Sequence, residues 1–427
     1  MRKGSGVDLF EITGGNRLRG SVTIGGAKNA ALPIMAAAIL VEGETVLEQV
    51  PDLADVRQMQ VLLQRLGVHC ERDAQGAMHL RVEDESNTHA EYDLVSKMRA
   101  SVCVLGPLLA KRKRARVSMP GGCAIGDRPI NLHVQGLEAI GAEYELLNGD
   151  VVLKAKRLTG AEMFLGGPFG SSVTATANVM MAATLAEGRT IIECAACEPE
   201  VVDLADFLNA CGARIQGHGT PHLVIDGVPK LTGVQHRVIP DRIEAGTFMI
   251  AAAITNGDLE LPGARVDHLL AVVDRLRQIG VIVERKDGGV EVSSARRLEP
   301  TQITTQPYPG FPTDLQAQVM ALLCLADGNS VITEKVFPDR FLHVGELSRM
   351  GAQLRKEGPT VTVEGIKRFV GAPVMASDLR ASAALILAGL IAKGTTRVHR
   401  VYHIDRGYER FEEKLSSVGA HIRRLPE

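Results

Sequence analysis

A glycine followed by alanine or valine, set between an amphipathic stretch and an alternating one, recurs six times along the 427 residues. The copies are RLGVHCE (65–71), AIGAEYE (139–145), ACGARIQ (210–216), QIGVIVE (278–284), RMGAQLR (349–355) and SVGAHIR (417–423). Their glycines stand at 67, 141, 212, 280, 351 and 419, so each interval lies between 68 and 74 residues. A fixed period of this kind marks one supersecondary unit used repeatedly. Five copies follow a turn glycine that closes an Ala-rich segment: AAAILVEG, AATLAEG, AAAITNG, LLCLADG and GLIAKG; the second copy has LLAKRKR in that place. Each unit therefore reads as an Ala-rich buried helix, a glycine C-cap, a strand, an amphipathic helix, Gly-Ala and a further strand. Helices and strands in alternation give an α/β class. Three units before residue 240 and three after it predict two similar lobes, with HRVIPDRIEAG (236–246) as the crossing.

The rest of the composition fits such a chain. Hydrophobic residues make up 45%, and Lys+Arg (48) nearly balances Asp+Glu (50), so no global field points to nucleic acid or an anionic membrane. Tryptophan is absent and aromatics are 4%, which leaves Ala, Val, Leu and Ile to build the core. Seven irregularly spaced cysteines argue against a disulfide framework and for a reducing compartment. The longest apolar run, AALPIMAAAILV, is too short to span a bilayer, and no secretory signal opens the chain. A soluble cytoplasmic protein is expected.

The six Ala-rich helices share an unusual start. They open with GGAKNAA (25–31), VSKMRAS (95–101), GSSVTATAN (170–178), PDRIEAG (240–246), FPTDLQA (311–317) and SDLRASA (377–383). N-capping accounts for the Ser, Thr and Asp residues. It does not account for Lys28, Arg99, Arg242 and Arg380, because cations are disfavoured where the helix already carries partial positive charge. Cations added to anion-attracting helix ends suggest a substrate with several negative charges.

The stretch PGGCAIGDRP (120–129) places Cys123 among glycines with Arg128 behind it. Glycines favour a mobile loop, and a guanidinium near a thiol favours the thiolate. A surface turn with an incidental cysteine is the alternative.

These segments together, with PGGCAIGDRPINLHVQGLEAIGAE, FPTDLQAQ and YHIDRGYER, resemble the enolpyruvyl transferases from about residue 8 to 425. Cys-Ala-Ile-Gly in the loop resembles the UDP-N-acetylglucosamine 1-carboxyvinyltransferase branch. The resemblance implies a two-lobed inside-out α/β barrel with three repeats per lobe: residues 28–239 in one, 1–27 plus 240–427 in the other. It implies enolpyruvyl transfer from phosphoenolpyruvate to a sugar-nucleotide hydroxyl with loss of phosphate. Those two small molecules would be the partners, with no cofactor, metal, nucleic acid or membrane. Cys123 matches the proton donor, and Asp314 the carboxylate that accepts the hydroxyl proton. Lys28, Arg128 and Arg406 match the cluster around phosphoenolpyruvate, with Arg99 beside it; an arginine fork suits both carboxylate and phosphate. Asn29 matches a sugar contact. Pro129, Ile130, Asn131, Leu132, Ser172, Val173 and Val336 match substrate-binding positions. Arg340 matches a closure-linked arginine, and Asp378 and Arg380 a pair near the reacting centre. Two of these roles have structural alternatives: Asp314 as a helix N-cap, and Arg406 in a surface pair with Asp405 or Glu409.

The likeness departs from the family at the nucleotide-gripping loop, which reads SSVTATA. Thr174 stands where glycine is usual, Gly170 where a lysine sometimes stands, and Asn131 where aspartate is commonest. These positions keep a different acceptor such as shikimate 3-phosphate, or a silent sugar-nucleotide-binding paralogue, among the alternatives. CAAC (194–197) lacks a second metal-ligand pair, and KRKR (111–114) reads as a solvated basic helix end.

Overall fold

Six turns set the architecture. In the computed structural model, which describes residues 8–119, 130–294 and 297–427, the six repeat glycines all have φ between +79° and +105°. Only glycine adopts that backbone region without strain, so each Leu/Ile-Gly-Ala motif ends an amphipathic helix and turns the chain into a strand. The glycines closing the Ala-rich segments behave alike: Gly43, Gly188, Gly328 and Gly394 have φ from +89° to +136°. In the fourth unit Asn256 takes the left-handed position (φ +49°) just before Gly257. In the second, which lacks the glycine, Lys113 does so with φ +59°.

A complete unit is seen between 302 and 364. A short strand Gln302–Thr304 precedes the Ala-rich helix Gln316–Leu323; then come strand Asn329–Thr333, helix His343–Arg349 and the hairpin Gln353–Glu357 with Thr360–Glu364. The first two strands pair in parallel and the others antiparallel, giving a four-stranded sheet. Six sheets of this kind are present among the described residues. The sequence pattern lacked both the short parallel edge strand and the second hairpin strand of each unit.

The chain divides into two compact units. The described residues from Gly26 to Ile239 form one; the strand-bearing start up to Gly25 joins Pro240–Glu427 in the other. Within the second, Asp8–Thr13 lies between Thr395–His399 and His421–Pro426, and pairs antiparallel with both. Arg19–Ser21 likewise supplies the parallel edge beside Asp258–Pro262. In the first unit Gln235–Arg237 closes back beside Glu44–Glu48.

Each unit has its own apolar core. In the second, the helices Arg242–Ile254, Gln316–Leu323 and Leu379–Ile391 pack on one another. Apart from its first residue, Arg242–Ile254 is buried on all sides. A helix apolar all round belongs inside, so the alanines let the helices approach closely while the sheets face outward. The basic run is less solvated than its sequence suggests. Lys111 and Arg112 are half-buried, and Arg112 donates to the Asn87 carbonyl while Lys111 pairs with Glu42 at 3.3 Å. No helix is long and apolar enough to cross a membrane among the described residues.

Candidate active site

Of the expected site residues, Cys123, Arg128 and Pro129 lie outside the described residues. The remainder fall into two groups, one on each unit.

On the first unit, Lys28 opens the helix Lys28–Ala37 and is only 8% exposed. Its Nζ lies 3.2 Å from Oδ2 of Asp55, itself 5% exposed. A buried ammonium needs such a carboxylate, so Asp55 holds the charge of Lys28 in place. Asn29 follows it, partly exposed. Arg99 starts the 3-10 turn Arg99–Val104. Ile130 is buried, and Asn131 and Leu132 begin the helix Asn131–Ala139. Ser172 caps the helix Val173–Ala183, its hydroxyl accepting from the Ala175 N–H.

Local backbone brings the last two segments together. Gly166–Gly167 pairs with Gly170–Ser171 in a small hairpin, and a Cβ on Gly167 would stand 3.2 Å from the Leu132 side chain. Gly170 has φ +91°, a conformation that strains a lysine or any other L side chain. His133 then ties the two helices, its Nε2 3.1 Å from the Thr174 hydroxyl and its Nδ1 2.9 Å from the Asn178 amide. Burial, with Arg99 nearby, lowers its pKa to about 3, so the ring is neutral.

On the second unit, Asp314 is clamped. Arg340 Nη1 donates to Oδ1 at 2.8 Å and Arg380 Nη2 to Oδ2 at 3.1 Å. Asp314 does not cap its helix: the 3-10 turn Thr313–Leu315 and the helix after it lack a side-chain cap. Asp378 is the cap of the next helix, accepting from the N–H groups of Arg380 and Ala381 at 2.8 and 3.1 Å. The two residues are thus joined through the backbone, while the Arg380 guanidinium reaches Asp314. Burial raises the pKa of Tyr408, whose ring lies under Arg380 at 5.2 Å. Its hydroxyl meets Thr247 at 2.8 Å and Gln318 at 3.2 Å, and Gln318 also donates to the Asp314 carbonyl.

Glu334, fully buried, steadies this corner in a way the sequence did not signal. Oε1 accepts from Thr305 Oγ1 and from the N–H groups of Val336 and Phe337, and Oε2 from Thr313 Oγ1. Arg340 also donates to Thr313, so the carboxylate fixes both Val336 and the arginine.

Arg406 ends the 3-10 turn Val401–Arg406. Both oxygens of neighbouring Asp405 accept from Arg424, at 2.6 and 2.9 Å. That guanidinium also bonds Glu412 at 2.6 Å and covers the Phe10 ring, anchoring the turn to the terminal strands. His/Cys/Asp/Glu groupings suited to a metal are absent among the described residues, and Cys194 and Cys197 are free thiols.

The model of the family described as EPSP synthase (3-phosphoshikimate 1-carboxyvinyltransferase) matches residues 12–415. A UDP-N-acetylglucosamine 1-carboxyvinyltransferase of Methylacidiphilum infernorum is 53% identical over 98% of this chain and 99% of its own length. One from an Anaeromyxobacter species is 54% identical over the same shares. Among solved structures, the enolpyruvyl transferase NikO from Streptomyces tendae matches with a TM-score of 0.90 at 26% identity, covering 99% of this chain and all of its own. An EPSP synthase from Acinetobacter baumannii shares the fold, with a TM-score of 0.75 at 20% identity over 98% of this chain and all of its own. Alike from end to end in sequence and fold, the chain belongs to the enolpyruvyl transferase family, in the branch of the UDP-N-acetylglucosamine 1-carboxyvinyltransferases.

Proposed function

We propose that the chain transfers the enolpyruvyl group of phosphoenolpyruvate to the 3-hydroxyl of UDP-N-acetylglucosamine and releases inorganic phosphate. The observation that carries this reading is the half-identity, over nearly full length, to relatives named for that activity. In the cell it would commit sugar nucleotide to peptidoglycan, in the cytoplasm, and so serve wall growth, cell shape and division.

Each residue then has a chemical task. The Cys123 thiol gives its proton to the methylene carbon of phosphoenolpyruvate, and the sugar oxygen attacks the neighbouring carbon. Asp314 accepts the hydroxyl proton, its orientation fixed by Arg340 and Arg380. The tetrahedral adduct expels phosphate as the methylene carbon returns a proton, which restores the double bond. Lys28, Arg128 and Arg406 meet the carboxylate and phosphate, with Arg99 nearby; charge-assisted bonds to such groups are the strong ones. Ile130, Asn131, Leu132, Ser172 and Val173 hold the nucleotide, Asn29 the sugar. Fosfomycin, an epoxide resembling phosphoenolpyruvate, would alkylate Cys123.

Incubation with both substrates, followed by mass spectrometry of the nucleotide, tests the reading. Gain of one enolpyruvyl group on UDP-N-acetylglucosamine is expected; recovery of unchanged sugar nucleotide from folded protein would refute it.

A further inference from the structure

Thr174 is a residue whose presence the family likeness leaves unexplained, and the buried bonds around it determine which of its atoms remains to act. Asn178, fully buried, accepts the Gly106 N–H on Oδ1 at 2.7 Å and donates from Nδ2 to the Val102 carbonyl at 3.0 Å. Its amide is thereby oriented. The same Nδ2 faces His133 Nδ1 at 2.9 Å, and an amide nitrogen can only donate, so Nδ1 must be the bare acceptor nitrogen. The neutral ring then carries its proton on Nε2 and donates it to Thr174 Oγ1 at 3.1 Å. The hydroxyl receives a bond on its oxygen, and its own proton meets no acceptor among the described residues. A donor polarised by a bond it accepts is a stronger donor. Thr174 is partly exposed, beside Ser172 and Val173, whereas His133 and Asn178 are sealed.

We propose that Thr174 is a specificity-determining contact of this chain, its hydroxyl donating to a diphosphate oxygen of the sugar nucleotide. The inference rests on the reading given under Proposed function. It assigns the extra side chain a gain in affinity, where volume alone would make it an obstruction. His133 and Asn178 are positioning residues, acting only through Thr174.

The test compares Thr174→Val, which keeps the branched shape and loses the donor, with Thr174→Ser, which keeps the donor. Binding of UDP-N-acetylglucosamine and of UDP is measured by calorimetry, and both substrate KM values and kcat by turnover. Thr174→Val should weaken both nucleotides by about ten-fold or more. The loss should appear in KM for the sugar nucleotide and leave KM for phosphoenolpyruvate within about two-fold, the uniform-binding pattern. Thr174→Ser should recover most of the affinity. Because the valine leaves His133 Nε2–H without its acceptor, the double variant His133→Phe/Thr174→Val, which removes both partners, should show the same weakening in a folded protein. Unchanged nucleotide affinity in either folded variant overturns the proposal, as do equal rises in both KM values. A wild-type protein that transfers normally while Thr174→Val binds as tightly sinks this inference alone. A wild type that binds neither UDP nor UDP-N-acetylglucosamine removes it together with the functional reading.

Discussion

Arg380 is 2% exposed, and its guanidinium donates to Asp314 from a helix start where a cation is disfavoured. The carboxylate, with Asp378 as the cap beneath, supplies the countercharge that makes this position tolerable. Replacing Asp314 by asparagine keeps the shape but takes the anion from between two buried guanidiniums. Asp314→Asn should lower stability by about 3 kcal/mol and turnover by at least about 100-fold. Denaturant unfolding and steady-state kinetics measure the two effects. In an Asp314→Asn/Arg380→Met cycle the stability losses should be strongly non-additive; simple additivity would show that the pair is not coupled.

Lys28 and Asp55 form the matching buried pair on the other unit. Lys28→Met should unfold at lower denaturant than wild type and lose most phosphoenolpyruvate affinity. Asp55→Asn, which keeps the cation, should raise KM for phosphoenolpyruvate more than KM for the sugar nucleotide. Equal effects on both KM values would remove Asp55 from the account of Lys28.

Burial acts on five of the thiols. It pushes Cys70, Cys103, Cys211 and Cys324 up to about 12 and raises Cys197, so these are protonated at neutral pH. Fosfomycin, as an analogue of phosphoenolpyruvate, should add one equivalent at Cys123 in the presence of sugar nucleotide, read by peptide mass mapping, and Cys123→Ser should take up none. Cys123→Ser should also lose most turnover while still binding sugar nucleotide. An adduct on another cysteine, or undiminished turnover, would contradict this.

Two buried histidines make stability depend on pH. Burial lowers His343 to about 4, with Arg340 also lowering it against the pull of Asp378, and His133 is lowered to about 3. An unfolded histidine titrates near ~6.5, so below that pH the unfolded chain binds protons that the folded chain does not. Stability is full above ~6.5 and falls as pH drops towards 4, by at most about 1.4 kcal/mol per pH unit for each ring. Melting temperatures between pH 7.5 and 5.5 should show the fall, and His343→Gln should make it shallower while His133 keeps the remainder. A wild-type curve that is level across that range would contradict the assignment.

Glu334 offers a structural control. All its partners donate to the carboxylate, so the amide NH2 of Glu334→Gln forfeits at least one of these bonds, at a cost of about 1–3 kcal/mol. Thermal unfolding reads the cost; a neutral effect would show that the hydroxyls can turn round.

The repeats were legible because each depends on a local necessity. A positive φ at Gly67 or Gly351 demands glycine whatever surrounds it, and an all-apolar helix demands burial. Strand exchange was expected only through the family resemblance and not from any local signal. DLFEIT reads as a strand, but nothing local says that it pairs with residues near 395 and 421. The expected site residues Asp314, Arg340 and Arg380 meet, yet the sequence assigned them separate roles and kept a helix cap as the structural alternative for Asp314. Asp55, His133, Asn178 and Glu334 went unread because a buried polar residue announces itself only through partners distant in the chain. His133 and Asn178 are 45 positions apart. Arg112 looked solvated because four basic residues in a row hide the Asn87 carbonyl that one of them reaches.

The most direct test is phosphate release from phosphoenolpyruvate by the purified, folded protein, with UDP-N-acetylglucosamine or shikimate 3-phosphate offered as acceptor. Release with the sugar nucleotide alone is the predicted result, and would show that Thr174, Gly170 and Asn131 are compatible with the nucleotide. Release with shikimate 3-phosphate alone, or with neither acceptor, would contradict the proposed activity and point to the 170–174 segment as the place where this chain parts from its relatives.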